Sequence, residues 1–368
     1  MRIALAWISL GVLAAGCSAW TRVAPDDPRL RYTGRVDRSD PAGPRFSNMG
    51  TAVAARVDSP SLRLHLGDVP YPRTDGKREL DRYEVVIDGA PAGSITAREP
   101  DGWHTVELGP GAHVVELFKR TEPEVGRGQL LGLELPWGGR LLEPPPAPTR
   151  RIEILGDSLT AGFGNLGGGP NCPFSAATED GYRSYATIAG RQLRAEVHFV
   201  AWSGRGVIRN YAMDSIDTLP QLYERTLPED PKSRWDFSRW TPDAVVIEAG
   251  GNDFGQPGLD AGAYQQGYFE LVQQVRQRYP RAYILCVPPG VTDDWPKGER
   301  AGTRSREAMD QVMKRLAEAG VTRVGTLTLD RAAPEHGIGC AWHPSIPTHQ
   351  AMAERLRAAL SEALGWRE

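Results

Sequence analysis

The hydrophobic pattern of this chain changes at one point, the proline run Pro144-Pro145-Pro146-Ala147-Pro148. Before the run, over residues 31–142, short segments alternate between apolar and polar residues, as strands with one buried face do. After it, short apolar runs alternate with segments in which apolar residues recur every three or four positions, as in amphipathic helices. A proline-rich segment is a stiff connector. The chain is therefore predicted to fold as two domains, residues 31–142 and 150–368, joined by a linker at residues 143–149.

The first domain is predicted to be all-β. Its apolar segments are rich in β-branched and aromatic residues, and turn signals such as Asp58-Ser59-Pro60 and Asp88-Gly89 separate them. The predicted strands are Thr51–Val57, Ser61–Leu66, Arg82–Ile87, Trp103–Leu108 and His113–Phe118. An antiparallel sandwich of the jelly-roll type is the packing that such a series favours.

The second domain is predicted to be α/β. Its short apolar runs are of the kind found in strands buried on both faces, and helical segments lie between them. The predicted strands are Arg151–Leu155, Val197–Ala201, Ala244–Glu248, Tyr283–Val287 and Thr322–Leu327. This alternation favours a parallel sheet covered by helices on both faces, with the functional site at the carboxyl ends of the strands.

The first residues are predicted to be absent from the mature protein. Arg2 precedes the apolar run Ile3–Ala15, which is too short to cross about 30 Å of hydrocarbon but suits a secretory signal peptide. The segment Leu13-Ala14-Ala15-Gly16-Cys17 resembles a bacterial lipobox, although its leucine stands one place earlier than is usual. The resemblance implies a signal peptide over residues 1–16 and a lipid on Cys17.

Residues 17–30 are then expected to be a tether between the lipid and the first domain. Ser18, and not aspartate, follows the cysteine, which favours export to the outer membrane or the cell surface. The membrane would be a partner of the protein through this lipid anchor. The alternative is ordinary secretion, with cleavage nearby and no role for Cys17.

Three polar segments follow predicted strands, and a fourth lies near the C-terminus. A serine directly after a strand can present its hydroxyl at a helix N-terminus, where main-chain N–H groups favour negative charge. A glycine N–H and an asparagine amide can donate to an oxyanion, and a histidine can act as general base. The four segments are Gly156-Asp157-Ser158-Leu159, Trp202-Ser203-Gly204-Arg205-Gly206, Gly250-Gly251-Asn252-Asp253 and Cys340-Ala341-Trp342-His343-Pro344.

Each segment also has a purely structural explanation. Asp157 and Ser158 are good helix N-caps, and glycine and asparagine are common turn residues. His343 competes with His336 and His349 for the role of base. The order of the segments along the chain is more informative than any one of them.

That order resembles the SGNH (GDSL) hydrolase superfamily, which has a flavodoxin-like three-layer α/β domain. In that family a serine attacks an ester carbonyl and a histidine takes its proton. The resemblance assigns these roles to Ser158 and His343. It also assigns the oxyanion hole to the N–H groups of Ser158 and Gly204 and to the side-chain amide of Asn252. The chain lacks the Gly-x-Ser-x-Gly elbow of α/β-hydrolases.

Further segments are similar to carbohydrate esterase family 2, and the similarity covers residues 31–364. They include Arg150–Ser158, Leu117–Glu122, Cys172–Ser175, Ser203–Gly206 and Trp342–Ser345. The resemblance implies that the protein removes acetyl groups from polysaccharides such as xylan and mannan, without a metal or another cofactor.

Two positions near the histidine depart from the family patterns. Many SGNH enzymes have an aspartate where this chain has Cys340, and relatives in the esterase family often have one where it has Ala341. Some family members are thought to orient the imidazole with a main-chain carbonyl, which fixes the tautomer but stabilises the imidazolium less than a carboxylate does. We therefore expect a Ser158–His343 dyad.

The remaining candidate residues are cysteines and a tryptophan. Cys172 and Cys340 are expected to form a disulfide, since an exported protein meets an oxidising compartment, and the alternative is two free thiols. Cys286 lies in a predicted strand and is expected to be buried. Trp342 is either a stacking platform for a sugar ring or core filling.

Composition limits the partners of the chain. Its 43 Lys and Arg residues against 46 Asp and Glu residues give a net charge of −3, so no nucleic-acid partner is expected. The four cysteines lack paired CxxC spacing, which argues against a zinc site. The expected partner is an acetylated polysaccharide. The competing functions are hydrolysis of cell-wall acetyl groups or short-chain lipid esters, and glycan binding without catalysis.

Overall fold

A computed structural model describes residues 20–72, 76–329 and 337–367 of the chain. Within these residues, regular structure up to residue 142 consists of strands, and from residue 150 onward strands alternate with helices. Residues 143–149, at the proline run, have no regular secondary structure. The predicted signal peptide, Cys17 and His336 lie outside the described residues.

The first domain is a sandwich of two antiparallel sheets. One sheet has the order β1-β10-β5-β8 with β3 beside β10, and the other has the order β11-β4-β9-β6-β7 with β2 beside β4. Its strands are β1 (Thr21–Val23), β2 (Arg31–Thr33), β3 (Arg45–Phe46), β4 (Ala52–Asp58), β5 (Ser61–Pro70), β6 (Arg82–Ile87), β7 (Ala90–Thr96), β8 (Asp101–Glu107), β9 (Ala112–Lys119), β10 (Gly126–Leu135) and β11 (Arg140–Leu142). Apolar side chains from both sheets form one core between them. The predicted jelly-roll class is confirmed.

The sandwich starts earlier in the chain than the sequence indicated. Thr21 pairs with Leu135, so β1 is an edge strand of the first sheet. Val23 and Leu30 are buried in the core of the sandwich. The structure therefore corrects the predicted tether over residues 20–30, because these two apolar side chains dock the segment onto the domain.

Strand β10 is central to the first sheet, although its sequence did not predict it. Its glycines lower strand propensity, yet they are needed where neighbouring groups come close. A Cβ at Gly128 would lie 2.1 Å from the hydroxyl oxygen of Tyr83, which is itself buried in the core. Gly128 therefore leaves room for the packed Tyr83, and its low strand propensity is the reason that the sequence did not indicate this strand.

The second domain is a parallel five-stranded sheet of order β13-β12-β14-β15-β16 with helices on both faces. Its strands are β12 (Arg150–Gly156), β13 (Ala195–Ala201), β14 (Ala244–Glu248), β15 (Tyr283–Val287) and β16 (Val324–Thr326). Its helices are α1 (Ser158–Ala161), α2 (Tyr185–Gln192), α3 (Leu219–Tyr223), α4 (Gly251–Phe254), α5 (Ala261–Arg278), α6 (Ala301–Glu318) and α7 (Ile346–Leu364). The predicted three-layer α/β class is confirmed.

Successive residues of the central strands point to opposite faces of the sheet, and each face has its own hydrophobic core. Leu155, Val245 and Ile247 pack with α5 and α6 on one face. Ile154 and Val246 pack with α2 and α7 on the other. None of the helices in the described residues is both long enough and apolar enough to cross a membrane.

The order of the strands places a site at one edge of the sheet. The chain runs from β12 to β13 on one side and then returns to β14 on the other side of β12. In sheets of this kind a crevice forms where the strand order reverses, outside the carboxyl ends of the strands. The segments that follow β12, β13 and β14 therefore meet at this edge.

A buried ion pair joins the two domains. The guanidinium of Arg35, in the β domain, donates to Glu153 Oε1 on β12 at 2.9 Å, and both side chains are fully buried. The same guanidinium donates to the carbonyl oxygen of Arg225 at 2.8 Å and lies over the rings of Tyr223 and Trp235. These contacts satisfy a charge that would otherwise be costly to bury.

A disulfide between Cys172 and Cys340 links two distant segments of the second domain. Cys172 lies in the loop that follows α1, and Cys340 begins a 3₁₀ turn, Cys340–Trp342, ahead of α7. The two residues are 168 positions apart in sequence. Cys286 is a free thiol buried in β15.

The disulfide is expected to stabilise the fold. Replacing both Cys172 and Cys340 by alanine should lower the free energy of unfolding by about 2–5 kcal/mol, because the unfolded chain regains the freedom of a long loop. Urea unfolding followed by circular dichroism measures this difference. A reductant should lower the midpoint of the wild-type protein toward that of the double variant and should leave the variant unchanged. Equal midpoints for all four samples would contradict the prediction.

Candidate active site

Ser158 is the first residue of α1, directly after β12. Asp157 caps the helix, since its Oδ1 accepts the N–H of Leu159 at 3.0 Å. Gly156 is required at the bend because a Cβ there would lie 2.0 Å from Thr160 Oγ1. The strand end, the cap and the bend together present a partly exposed serine hydroxyl at a helix N-terminus.

His343 is in hydrogen-bond contact with this serine. Its Nε2 lies 2.8 Å from Ser158 Oγ, and its Nδ1 lies 2.9 Å from the carbonyl oxygen of Ala341. A carbonyl oxygen only accepts, so Nδ1 carries the proton and Nε2 is left as an acceptor for the serine hydroxyl. This is the tautomer that a general base needs.

The backbone around His343 is held in an unusual conformation. Ala341 and Trp342 have φ values of 51° and 63°, in the left-handed region that non-glycine residues seldom occupy. Cys340 N–H donates to the Gly164 carbonyl at 2.9 Å, and Ala341 N–H donates to the Cys172 carbonyl at 3.1 Å. These bonds and the disulfide attach the histidine loop to the segment after α1.

Two residues of that segment were not predicted from the sequence. The ring of Phe163 lies 4.4 Å from the imidazole of His343, between centroids, and restricts its rotation. Gly164 has a φ of 63°, and a Cβ there would lie 2.9 Å from Cys340. The segment had no signal of its own, because its role depends on a partner far along the chain.

His349, the other predicted base among the residues that the structure describes, lies in a different place. It is fully buried, and its Nδ1 accepts the N–H of Tyr185 at 3.1 Å. Burial, with a smaller contribution from nearby His343, lowers the pKa of His349 to about 3. A neutral, enclosed imidazole of this kind is structural.

Gly204 lies just after β13, at the same edge as Ser158. Its φ of 77° suits glycine, and no atom lies within 4 Å of the position of a Cβ, so the backbone faces open space. The Gly204 carbonyl accepts the N–H of Tyr211 at 2.9 Å. The segment can thus present an N–H group to a ligand bound near Ser158.

Asn252, in α4 after β14, connects the other two segments. Its Nδ2 donates to Asp157 Oδ2 at 3.0 Å and to the Arg205 carbonyl at 2.8 Å. The predicted nucleophile, glycine and asparagine segments therefore do meet. Both amide hydrogens are engaged, so donation to an oxyanion requires one of these bonds to be exchanged.

Two buried carboxyl groups support these segments. Asp253 accepts N–H groups from Val207, Ile208 and Arg209 at 2.8–3.0 Å, and these bonds counter the burial that raises its pKa. Burial and the charge of Asp157 raise the pKa of Glu248 well above its usual range. Thr160 Oγ1, in α1, donates to Glu248 Oε2 at 3.3 Å, so this buried acid connects the end of β14 to α1.

The β domain also reaches the site. Glu122 is fully buried, and its Oε2 accepts the N–H of Ser203, next to Gly204, at 2.5 Å. Its Oε1 accepts the hydroxyl of the same serine. In the sequence, Glu122 is notable only as the last residue of Leu117–Glu122, a segment similar to the esterase family.

Two exposed tryptophans, Trp342 beside His343 and Trp295, lie in loops of the second domain. Trp342 is 66% exposed, which excludes the core-filling alternative. Trp295, 65% exposed, lies in the loop after β15, at the same edge of the sheet. Among residues 20–72, 76–329 and 337–367, no cluster of three or more His, Cys, Asp or Glu side chains is arranged to bind a metal ion.

Comparison with protein families gives two matches that together span most of the chain. The GDSL-like lipase/acylhydrolase family matches residues 154–351. The N-terminal domain of carbohydrate esterase 2 matches residues 32–145.

Relatives of known sequence and structure agree with these matches. The cellulase/esterase CelE of Acetivibrio thermocellus is 34% identical over 344 residues, which are 93% of this chain but only 40% of that protein. An acetylxylan esterase/glucomannan deacetylase of Cellvibrio japonicus is 28% identical over 354 residues, 94% of this chain and 91% of the relative. The structure of a family two carbohydrate esterase from Clostridium thermocellum in complex with cellohexaose has a TM-score of 0.84 and 32% identity, and covers 92% of this chain and 100% of that one.

The domain matches, the shared two-domain fold and the serine–histidine contact at the carboxyl edge of the sheet lead to one assignment. The chain belongs to carbohydrate esterase family 2 within the GDSL-like acylhydrolases, and it is a carboxylic ester hydrolase.

Proposed function

We propose that this protein removes acetyl groups from a polysaccharide of the xylan or mannan type through a Ser158–His343 dyad. The observation that carries the proposal is the pair of hydrogen bonds on His343: its Nε2 accepts from the hydroxyl of Ser158, and its Nδ1 donates to the Ala341 carbonyl. The similarity to the acetylxylan esterase/glucomannan deacetylase of Cellvibrio japonicus supports the class of substrate.

The reaction follows from the geometry of these groups. Ser158 Oγ attacks the acetyl carbonyl carbon as its proton passes to His343 Nε2, and the carbonyl oxygen becomes an oxyanion. The N–H groups of Ser158 and Gly204 and the amide of Asn252 stabilise that charge. The tetrahedral intermediate collapses when His343 returns the proton to the sugar oxygen, which leaves as a hydroxyl.

A second half-reaction restores the enzyme. Water gives a proton to His343 Nε2 and attacks the acetyl group on Ser158. The second tetrahedral intermediate then releases acetate, and Ser158 Oγ recovers its proton from His343. In both half-reactions the Ala341 carbonyl accepts a hydrogen bond from Nδ1–H of His343, and its dipole stabilises the imidazolium.

The nucleophile is tested by acetate release. Ser158→Ala should lower kcat on acetylated xylan or acetylated glucomannan by about 10⁴-fold or more, because the attacking oxygen is lost. The exposed Ser238→Ala should keep wild-type activity. Full activity of Ser158→Ala would refute the assignment.

The same assay separates the alternatives for the ester. If acetate is released faster from acetylated peptidoglycan than from acetylated xylan or glucomannan, the substrate is a cell-wall polymer. If esters of long acyl chains are hydrolysed faster than acetyl esters, the substrate is a lipid. Glycan binding without acetate release by the wild-type protein would instead indicate a binding module.

Trp342 is proposed to stack on a sugar ring of the substrate. Trp342→Ala should raise KM for the acetylated polysaccharide by about tenfold, which corresponds to about 1.4 kcal/mol of binding, and should affect nitrophenyl acetate less because that ester has no sugar. Trp137→Ala is the matched control, since Trp137 is 84% exposed at the turn between β10 and β11. Equal effects on both substrates would argue against stacking.

We further propose that the protein is an exported lipoprotein held at the outer membrane or cell surface by Cys17. The support is the lipobox-like sequence and the short distance along the chain from Cys17 to β1, which starts at Thr21. A lipid at this position would hold the β1 end of the sandwich next to the bilayer.

Membrane anchoring is tested by labelling cells with a radioactive fatty acid. The wild-type protein should be labelled and should sediment with membranes, whereas Cys17→Ser should lose the label and become soluble, because the thiol that carries the lipid is absent. Ser158→Ala should sediment like the wild type. An unlabelled, soluble wild-type protein would favour ordinary secretion.

A further inference from the structure

We propose that Glu122 of the β domain is a positioning residue for hydrolysis, which holds Ser203 so that the next N–H group, that of Gly204, faces the oxyanion. The inference rests on the oxyanion role proposed above for Gly204. It would make the β domain part of the catalytic apparatus and not only a wall of the cleft.

The contact is specific to one residue of the glycine segment. Glu122 Oε2 accepts the main-chain N–H of Ser203 at 2.5 Å, and Glu122 Oε1 accepts the hydroxyl of the same residue. Two bonds from one carboxyl group to one residue fix both the backbone and the side chain of Ser203. The residues are 81 positions apart, so the bonds join the two domains.

The next peptide group is thereby held at both ends. On one side Ser203 is attached to Glu122, and on the other the Gly204 carbonyl accepts the N–H of Tyr211 at 2.9 Å. Between them, Gly204 has no atom within 4 Å of the position of a Cβ. Hydrogen bonds of the neighbouring residues, including that from the Arg205 N–H to the Trp202 carbonyl at 3.3 Å, therefore restrain the direction of the Gly204 N–H.

Glu122 itself is firmly placed. It is fully buried, and the preceding segment is fixed by the buried ammonium of Lys119, which donates to Asp81 Oδ1 at 2.7 Å and to the Thr121 carbonyl at 2.9 Å. A side chain that orients another must be rigid itself, and this one has no solvent-exposed alternative.

The role is geometric and does not depend on the charge of Glu122. Burial and the charge of Glu124 raise the pKa of Glu122 to about 8, against the opposing effect of the Ser203 donors. A neutral carboxyl group keeps both contacts, since its carbonyl oxygen accepts the Ser203 N–H and its hydroxyl pairs with Ser203 Oγ. Glutamine offers a carbonyl oxygen that can accept the Ser203 N–H and an NH2 group that can donate to Ser203 Oγ.

Kinetics of acetate release from acetylated xylan test the proposal. Glu122→Ala should lower kcat by about 10- to 100-fold with KM changed less than about threefold, because a misplaced donor weakens only the transition state. Glu122→Gln should restore kcat to within about threefold of wild type. Affinity for a boronic acid, which adds to Ser158 as a tetrahedral anion, should fall in parallel with kcat/KM.

Milder variants and a control guard against a general loss of structure. Ser203→Ala removes only the hydroxyl contact and should lower kcat by about three- to tenfold. Adding it to Glu122→Ala should cause no further loss, because the two residues act through one contact. Glu229→Ala is the control, since Glu229 also bonds across the domain interface, to Ser47 Oγ at 2.8 Å and Tyr71 Oη at 2.9 Å, but not to the glycine segment.

The outcomes separate this inference from the proposed function. If wild type is active and Ser158→Ala is inactive, wild-type kcat in both Glu122→Ala and Ser203→Ala overturns the inference alone. A Glu229→Ala variant as impaired as Glu122→Ala, or a Glu122→Gln variant as impaired as Glu122→Ala, also overturns it. An inactive wild-type protein would instead refute the proposed function.

Discussion

The buried pair of Arg35 and Glu153 fixes the two domains relative to each other, and the active site depends on that relation. Glu153 lies on β12, the strand that leads into Ser158, while Arg35 belongs to the β domain. Removing one partner of such a pair leaves an uncompensated buried charge and typically costs about 3–5 kcal/mol. The pair therefore favours one docking arrangement over others in which either charge would lack its partner. That arrangement brings Glu122 to Ser203.

Several carboxyl groups lie around this site, and the hydrogen bonds that the structure shows for them go to residues of the surrounding loops and helix ends. Asp157 caps α1 and accepts from Asn252. Asp253 accepts three successive N–H groups directly after the glycine segment, and Glu122 binds Ser203 within it. Each segment that is proposed to supply an oxyanion donor is thus tied to a buried acid. Donors fixed in advance need little reorganisation when charge develops, which is the main advantage of a preorganised site.

Patterns of hydrophobicity predicted the architecture well, because burial of one or both faces of a strand leaves a local mark in sequence. Arg82–Ile87, Ala244–Glu248 and Tyr283–Val287 were predicted with the bounds that the structure shows. β10 was missed because Gly128 is needed to make room for Tyr83, and glycine has a low strand propensity. Glu122 and Phe163 were missed for another reason. Their roles arise from contacts with residues 81 and 180 positions away, which no local pattern encodes.

The orientation of the His343 imidazole depends on its own loop, and the position of that loop depends in part on the disulfide between Cys172 and Cys340. The acceptor that the structure shows for His343 Nδ1 is the carbonyl of Ala341, two residues away in the same loop. An acceptor within the loop orients the ring relative to that loop, but it does not place the ring relative to Ser158. The position of the ring relative to Ser158 depends on the hydrogen bonds from Cys340 to Gly164 and from Ala341 to Cys172. The disulfide between Cys172 and Cys340 holds the same two segments together. Because those contacts hold Ala341 and Trp342 in left-handed conformations, the backbone strain is borne by the same bonds that direct the imidazole of His343 toward Ser158.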